Sequence, residues 1–256
     1  FDKDESSFNI VMATNNNRVV NTSELYFQPQ GEVITAKDGS KQLTMRLFTD
    51  VEGAFVDYVY TLPAKDYMLK FDVKASKMNE IMPMSVNSLD LQWKSLVRQQ
   101  EQGRSFEERY SMLNFKYLAD DVDKLSEAKN DKKEVANQLK WVAFKDQYFS
   151  SVLIADKAFA SALLSSEVQG KESGYLKSYE ADLVIPFDPL GNNPTAFRMF
   201  FGPNHYKTLS AYDKGIAGDD KLQLRELVPL GWGIFGWVNR YFVIPVFNLL
   251  SKFIGN

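Results

Sequence analysis

With 256 residues, 45% of them hydrophobic and 25% charged, the chain has material for one large globular domain or two smaller ones. It contains no cysteine, which removes disulfide frameworks, thiol nucleophiles and Cys-based zinc sites. A net charge of −3, a pI near 5.4 and the lack of a basic stripe argue against a nucleic-acid binder. The opening Phe1-Asp2-Lys3-Asp4-Glu5 is too polar for a cleavable leader and reads as the middle of a longer sequence. The first ninety residues read as β. Phe8 to Thr14 is a strand, Asn15-Asn16-Asn17 a turn, and Arg18-Val19-Val20 a short return. Glu32–Ala36 and Leu43–Phe48 flank Lys37-Asp38-Gly39-Ser40, a hairpin signal, because Asp-Gly suits a tight turn between β-rich runs. Phe55–Tyr60, Tyr67–Val73, Leu89–Trp93 and Ser111–Tyr117 continue the series at the short spacing of a sandwich.

Ala119 to Leu139 is the most polar stretch, rich in both charge signs, and predicts a solvated excursion or a short exposed helix. From Trp141 to Ile154 the chain is apolar and aromatic. Trp141, Phe144, Tyr148 and Phe149 are expected to pack the core, each stabilising the fold by about 1.5–3 kcal/mol when buried. Tyr179–Ile185 and Thr195–Phe201 are further strands around a loop containing Pro186, Pro189, Gly191 and Pro194. Asn204–Tyr212 suits a helix, and Leu222-Gln223-Leu224 a last strand.

The tail, residues 227–256, differs from the body, residues 1–226. It holds two of the four tryptophans, Trp232 and Trp237, with Phe235, Tyr241, Phe242, Phe247 and Phe253, and its only charges are Arg240 and Lys252. The tail therefore carries +2 and the body −5 of the total −3. Aromatic residues beside sparse basic charge suit a lipid interface. On a helical wheel Phe242, Val243, Val246, Leu249, Leu250, Phe253 and Ile254 share one broad arc, opposite Asn248, Ser251 and Lys252, with Arg240 at the polar edge. A spanning helix needs roughly 20 predominantly apolar residues. Arg240 and Lys252 divide this segment, and Pro245 removes a helical hydrogen bond or starts a new first turn. The expectation is a helix lying on a membrane, with Trp232, Trp237, Arg240, Phe242, Val246, Phe247, Leu250, Lys252 and Phe253 at the interface. The same arc would also suit a helix buried against the body.

Motifs for chemistry are sparse. Gly231-Trp232-Gly233-Ile234-Phe235-Gly236 has the G-x-G-x-x-G spacing, but no acidic residue follows it and bulky rings sit beside the glycines. His205 is the sole histidine and suits an exposed or capping position better than catalysis. Asp120-Asp121-Val122-Asp123 lacks the glycine and glutamate of an EF-hand loop. Ser105-x-x-Glu108 fits a helix capping box. No catalytic, cofactor-binding or metal-binding residue is assigned.

Three segments, in this order and spacing, resemble the large periplasmic domain of the YidC-type membrane-protein insertases, in the form found in Bacteroidetes. They are Trp141-Val142-Ala143-Phe144-Lys145-Asp146-Gln147-Tyr148-Phe149-Ser150-Ser151, then Phe200-Phe201-Gly202-Pro203 with Tyr206 and Leu209, and finally Pro245-Val246-Phe247 with Leu249-Leu250 and Gly255-Asn256. The resemblance implies a mostly β fold, a β-supersandwich of galactose-mutarotase-like topology with a few short helices and a C-terminal amphipathic helix. It implies a place facing the periplasm at the bacterial inner membrane, between a first membrane helix and a five-helix insertase core. The first strands of the family's domain would precede this chain, leaving edge strands without partners. Arg240 is not the functional arginine of that core. The implied function is non-catalytic assistance to membrane-protein insertion and folding. The implied partners are the bilayer interface, the protein's own membrane core, accessory subunits of the Sec translocon and nascent membrane proteins. The rival reading is a carbohydrate-binding or mutarotase-like protein, because that fold is shared with sugar mutarotases and fold does not carry function. Mutarotases use histidines with a glutamate, and one histidine is too few.

Overall fold

Alternating apolar residues give this chain its strands, and two sheets stacked face to face bury them. The computed structural model describes residues 6–119, 121–229 and 238–250. In chain order the strands are β1 (Ser6–Ala13), β2 (Val19–Asn21), β3 (Gln28–Pro29), β4 (Ile34–Thr35), β5 (Lys41–Phe48), β6 (Phe55–Leu62), β7 (Met68–Ser76) and β8 (Ser88–Arg98). After helix α1 (Arg104–Tyr110) come β9 (Met112–Tyr117), β10 (Val122–Lys124), β11 (Asp131–Val135), β12 (Leu139–Lys145), β13 (Phe149–Phe159), β14 (Ala162–Val168), β15 (Tyr175–Pro186) and β16 (Thr195–Pro203), followed by helix α2 (Tyr206–Ala211). One sheet has the order β11-β14-β15-β8-β1-β2, the other β10-β9-β12-β13-β16-β7-β6-β5-β3, with β4 also on β5. All pairs are antiparallel. This is the mostly β supersandwich with few short helices that the family resemblance implied.

The main core lies between the sheets, where Ile10, Leu91, Tyr179 and Leu183 of one meet Phe71, Val142, Leu153 and Phe197 of the other. Trp93 stacks on Phe144 across the gap, ring centroids 3.8 Å apart. A second core covers the outer face of the ten-stranded sheet. There Trp141, Ala143, Val152, Ile154 and Phe200 pack under Leu209 of α2 and under Leu222, Leu224 and Leu227. Because the sheet is covered on both faces here, β12 is apolar at successive positions instead of alternating.

Several expectations are corrected. Ala119–Leu139 is neither a solvated excursion nor a helix: it supplies β10 and β11, one at an edge of each sheet, with Leu125, Val135 and Leu139 buried. An edge strand needs only one apolar face, so its polar composition misleads. Lys133 of β11 meets Asp123 of β10 at 2.7 Å and ties the two edges together. Leu222-Gln223-Leu224 is not a strand. Asp213 accepts hydrogen bonds from the Leu222 and Gln223 amides at 2.6 and 2.8 Å, Gln223 turns left-handed at φ 54°, and Leu224–Leu227 forms a 3-10 turn. The capping box is absent, since α1 starts after Gly103 with no side-chain cap. Glu107, not Ser105, organises the helix entry by accepting from the Gln100 and Glu101 amides. Trp141 and Phe144 are buried as expected, but Tyr148 and Phe149 are 55% and 60% exposed. They sit at the β12–β13 turn, where the sheets no longer close on each other and Phe149 borders an open cavity.

Candidate membrane interface

The base of the tail is latched to the body. Leu224 and Leu227 are buried in the second core, and the indole Nε1–H of Trp141 donates to the Leu222 carbonyl at 2.7 Å. Tyr212 donates its hydroxyl to Asp66 at 2.6 Å; burial first, and the Asp66 carboxylate second, push its phenol well above the usual range. These contacts fix where the chain leaves the β body, at Val228 and Pro229.

The tail helix, α3, comprises Asn239–Val243 as a π-turn and Ile244–Leu250 as an α-helix. Ile244 N–H reaches back to Asn239 O, five residues away. A widened turn just before Pro245 has a clear cause: proline has no N–H to donate and its ring crowds the carbonyl four residues earlier. The helix therefore continues through Pro245. Phe242 and Phe247 are 66% and 67% exposed, and Tyr241, Val246, Leu249 and Leu250 are exposed as well. Among the expected interface residues, Phe242, Val246, Phe247 and Leu250 thus share one short helix with their apolar side chains in solvent. Arg240 lies in its π-turn; Trp232, Trp237, Lys252 and Phe253 fall outside the described residues. No described helix is long and apolar enough to cross a membrane.

Near the point of departure lies a buried polar cluster that sequence reasoning missed. Lys145 of β12 donates to the Tyr110 carbonyl oxygen, and Lys177 of β15 to those of Ser111 and Glu127 at 2.7 and 2.9 Å. Two lysines, one from each sheet, thereby cap the C-terminal end of α1, where cations offset the helix dipole. The available signal was a lysine directly after an apolar strand residue, Phe144 or Leu176. Burial pushes the Lys145 ammonium down to about 8, with Lys124 and Lys177 adding to the fall and Asp146 and Glu127 opposing it. Burial likewise raises the Asp146 carboxyl and lowers Lys177. Lys145 in the unfolded chain holds its proton to about pH 10.4. Between pH 8 and that value the unfolded state binds more protons, so this group's contribution to stability rises with pH by up to about 1.4 kcal/mol per unit. Below pH 8 its cost is fully present. Unfolding free energies over this window should therefore rise more steeply, or fall less, in the native chain than in Lys145→Met. Equal slopes in the two proteins would contradict the burial of this charge.

An open cavity of about 470 Å³ lies between the sheets, lined by Ser95, Val97, Arg98, Phe144, Asp146, Phe149 and Ser151 among others. His205 is not among its lining residues. It stands exposed before α2, with Nδ1 2.9 Å from the Thr208 hydroxyl oxygen, as an exposed or capping histidine should. A two-histidine proton relay is beyond this chain.

Comparison with known proteins gives one consistent picture. The family model described as YidC periplasmic domain matches residues 3–244. The chain is 46% identical to Membrane protein insertase YidC of Parabacteroides distasonis over 256 residues, which is 100% of this chain and 39% of that protein. It is 38% identical to the Porphyromonas gingivalis protein of the same name, covering 100% of this chain and 40% of that one. The chain thus spans about two fifths of the length of the curated relatives it matches. Among solved structures, an alpha-galactosidase from Lactobacillus brevis aligns with 78% of the chain and 30% of its own, at 9% identity and a TM-score of 0.44, too low to bear on function.

Proposed function

We propose, because this chain belongs to the YidC periplasmic domain family, that it is the non-catalytic, periplasm-facing part of an inner-membrane insertase whose tail couples it to the bilayer. In this reading the body, residues 1–226, is the periplasmic domain. The tail, residues 227–256, continues from the Leu227 anchor toward the lipid interface and toward the protein's own transmembrane core. In this reading the domain assists insertion and folding of nascent membrane proteins, with contact to accessory subunits of the Sec translocon. The observation that carries the membrane assignment is α3, whose Tyr241, Phe242, Val246, Phe247, Leu249 and Leu250 are exposed and join neither core. Such a helix in water leaves its apolar area hydrated, whereas at a headgroup boundary that area is removed from water.

Vesicle binding tests this reading. The full chain should float with vesicles containing anionic lipid, with tryptophan emission shifting to the blue. Arg240 and Lys252 add electrostatic attraction of about 1 kcal/mol each. Phe247→Glu should weaken partitioning at least about tenfold without lowering the unfolding temperature, because its ring makes no part of either core. Unchanged binding by that variant, or loss of binding accompanied by unfolding, would refute the assignment of α3 to lipid.

A further inference from the structure

The exposed aromatic residues of the body are unevenly placed. Tyr26 and Phe48 lie toward the end of the sandwich where β5 finishes, whereas Tyr67, Phe106, Tyr148, Phe149 and Phe201, all about half exposed or more, gather at the opposite end. Backbone pairing puts four of them together. Phe201 N–H donates to Tyr67 O at 3.0 Å, Asn204 N–H to Tyr148 O at 2.7 Å, and Phe149 pairs with Pro203. Helix α1 brings the fifth, with the rings of Phe106 and Tyr110 4.8 Å apart and the Ser111 hydroxyl 3.5 Å from Asp146. Two of these rings, Tyr148 and Phe149, are ones that the sequence pattern assigns to the core and the fold leaves exposed.

The tail departs from this same end. Leu227 and Pro229 line a recess with Met112, Asn114 and Lys145. Met112 and Lys145 are register partners, and Lys145 directly precedes the turn that carries Tyr148. From Pro229 to Val238 the chain can reach at most about 30 Å, so an α3 seated on a bilayer keeps this end of the body near that bilayer. Rings with an apolar body and a polar tip prefer the headgroup level, and a patch of exposed apolar rings marks an interaction surface. Arg109 of α1 and Lys207 of α2 are exposed at the same end and add positive charge.

We propose that this aromatic end of the sandwich is a second lipid contact, with Tyr148 and Phe149 at its centre, seated in the headgroup layer of the bilayer that holds the tail. The proposal rests on the reading of α3 as an interfacial helix. It fixes the orientation of the body: α1 and the β12–β13 turn face the membrane, and the Asn15–Asn17 turn points away.

Because the chain has no cysteine, single-site labelling of the full chain tests this. An environment-sensitive fluorophore is attached to Tyr148→Cys, to Phe247→Cys in the tail, and to Asn16→Cys at the far end. The probe surface is vesicles of phosphatidylcholine and phosphatidylglycerol carrying headgroup nitroxide. Labels at 148 and 247 should shift to the blue and be quenched, and the label at 16 should do neither. The double variant Tyr148→Ser/Phe149→Ser should lower partitioning by about tenfold with an unchanged unfolding temperature. A response at 247 with none at 148, and normal partitioning of the double variant, overturns the lipid face and leaves the tail reading intact. No response at either site overturns both. A response at 148 only when another protein is reconstituted in the vesicles overturns the lipid assignment in favour of a protein partner.

Discussion

Trp141→Ala is expected to lower the unfolding temperature by about 10–15 °C, with a loss of about 3–5 kcal/mol for a buried aromatic truncated to alanine. The indole is fully buried at the centre of the second core, among Ile154, Phe200, Leu209 and Leu224. Its removal leaves a cavity under the Leu209–Leu227 cover that the ten-stranded sheet cannot collapse into, since β12 is held on both sides by β9 and β13. It also orphans the Leu222 carbonyl, which the indole N–H satisfies at 2.7 Å. Because Leu222 begins the segment that fastens the tail, the defect should loosen Leu222–Val228 first. Hydrogen exchange there should accelerate more than in β15 on the far sheet. Phe149→Ala is the contrast. Eight residues away in the same motif, its ring is mostly exposed, and its loss should change stability by less than about 1 kcal/mol. Equal destabilisation by the two variants, measured by thermal and denaturant unfolding, would contradict the second core.

Phe71→Ala should cost at least as much, about 4–5 kcal/mol, at the middle of the main core. Phe71 has no exposed surface. It stacks between its two cross-strand neighbours, Tyr60 at 4.9 Å and Phe197 at 5.8 Å, and meets Tyr58 edge-on at 5.1 Å and Phe8 of the facing sheet at 5.7 Å. Aromatic pairs contribute about 0.5–1.5 kcal/mol each beyond area burial. Their joint loss places this site at the top of the range for such truncations. Phe71→Leu keeps most of the volume and should cost less than half as much. An unfolding free energy for Phe71→Ala within about 1 kcal/mol of that of the native chain would refute the cluster.

Much of this was written locally in the sequence. Several strands between Phe8 and Phe201, such as Phe55–Tyr60 and Leu89–Trp93, follow from their β-rich runs, the turn at Lys37–Ser40 from Asp-Gly, and α2 from its position after Gly202-Pro203. The tail's amphipathic arc needs nothing but the order of its residues; of its described members Phe242, Val246, Leu249 and Leu250 are exposed and Val243 is half-buried. Resemblance in three short segments was enough to expect the family.

Tertiary structure alone decided the rest. A polar strand is readable only once its neighbour is known, so β10 and β11 were hidden in a charged stretch whose single apolar faces pack at the sheet edges. Lys145 and Lys177 read as surface charge until two sheets and α1 converge and supply backbone acceptors for them. Trp141 and Phe149 belong to one aromatic run, and local pattern gives them the same fate. What separates them is the opposing layer: Trp141 lies beneath the Leu209–Leu227 cover, whereas Phe149 borders an open cavity at the end of the sandwich. Burial is a property of the opposing surface, which no residue's own sequence neighbourhood contains.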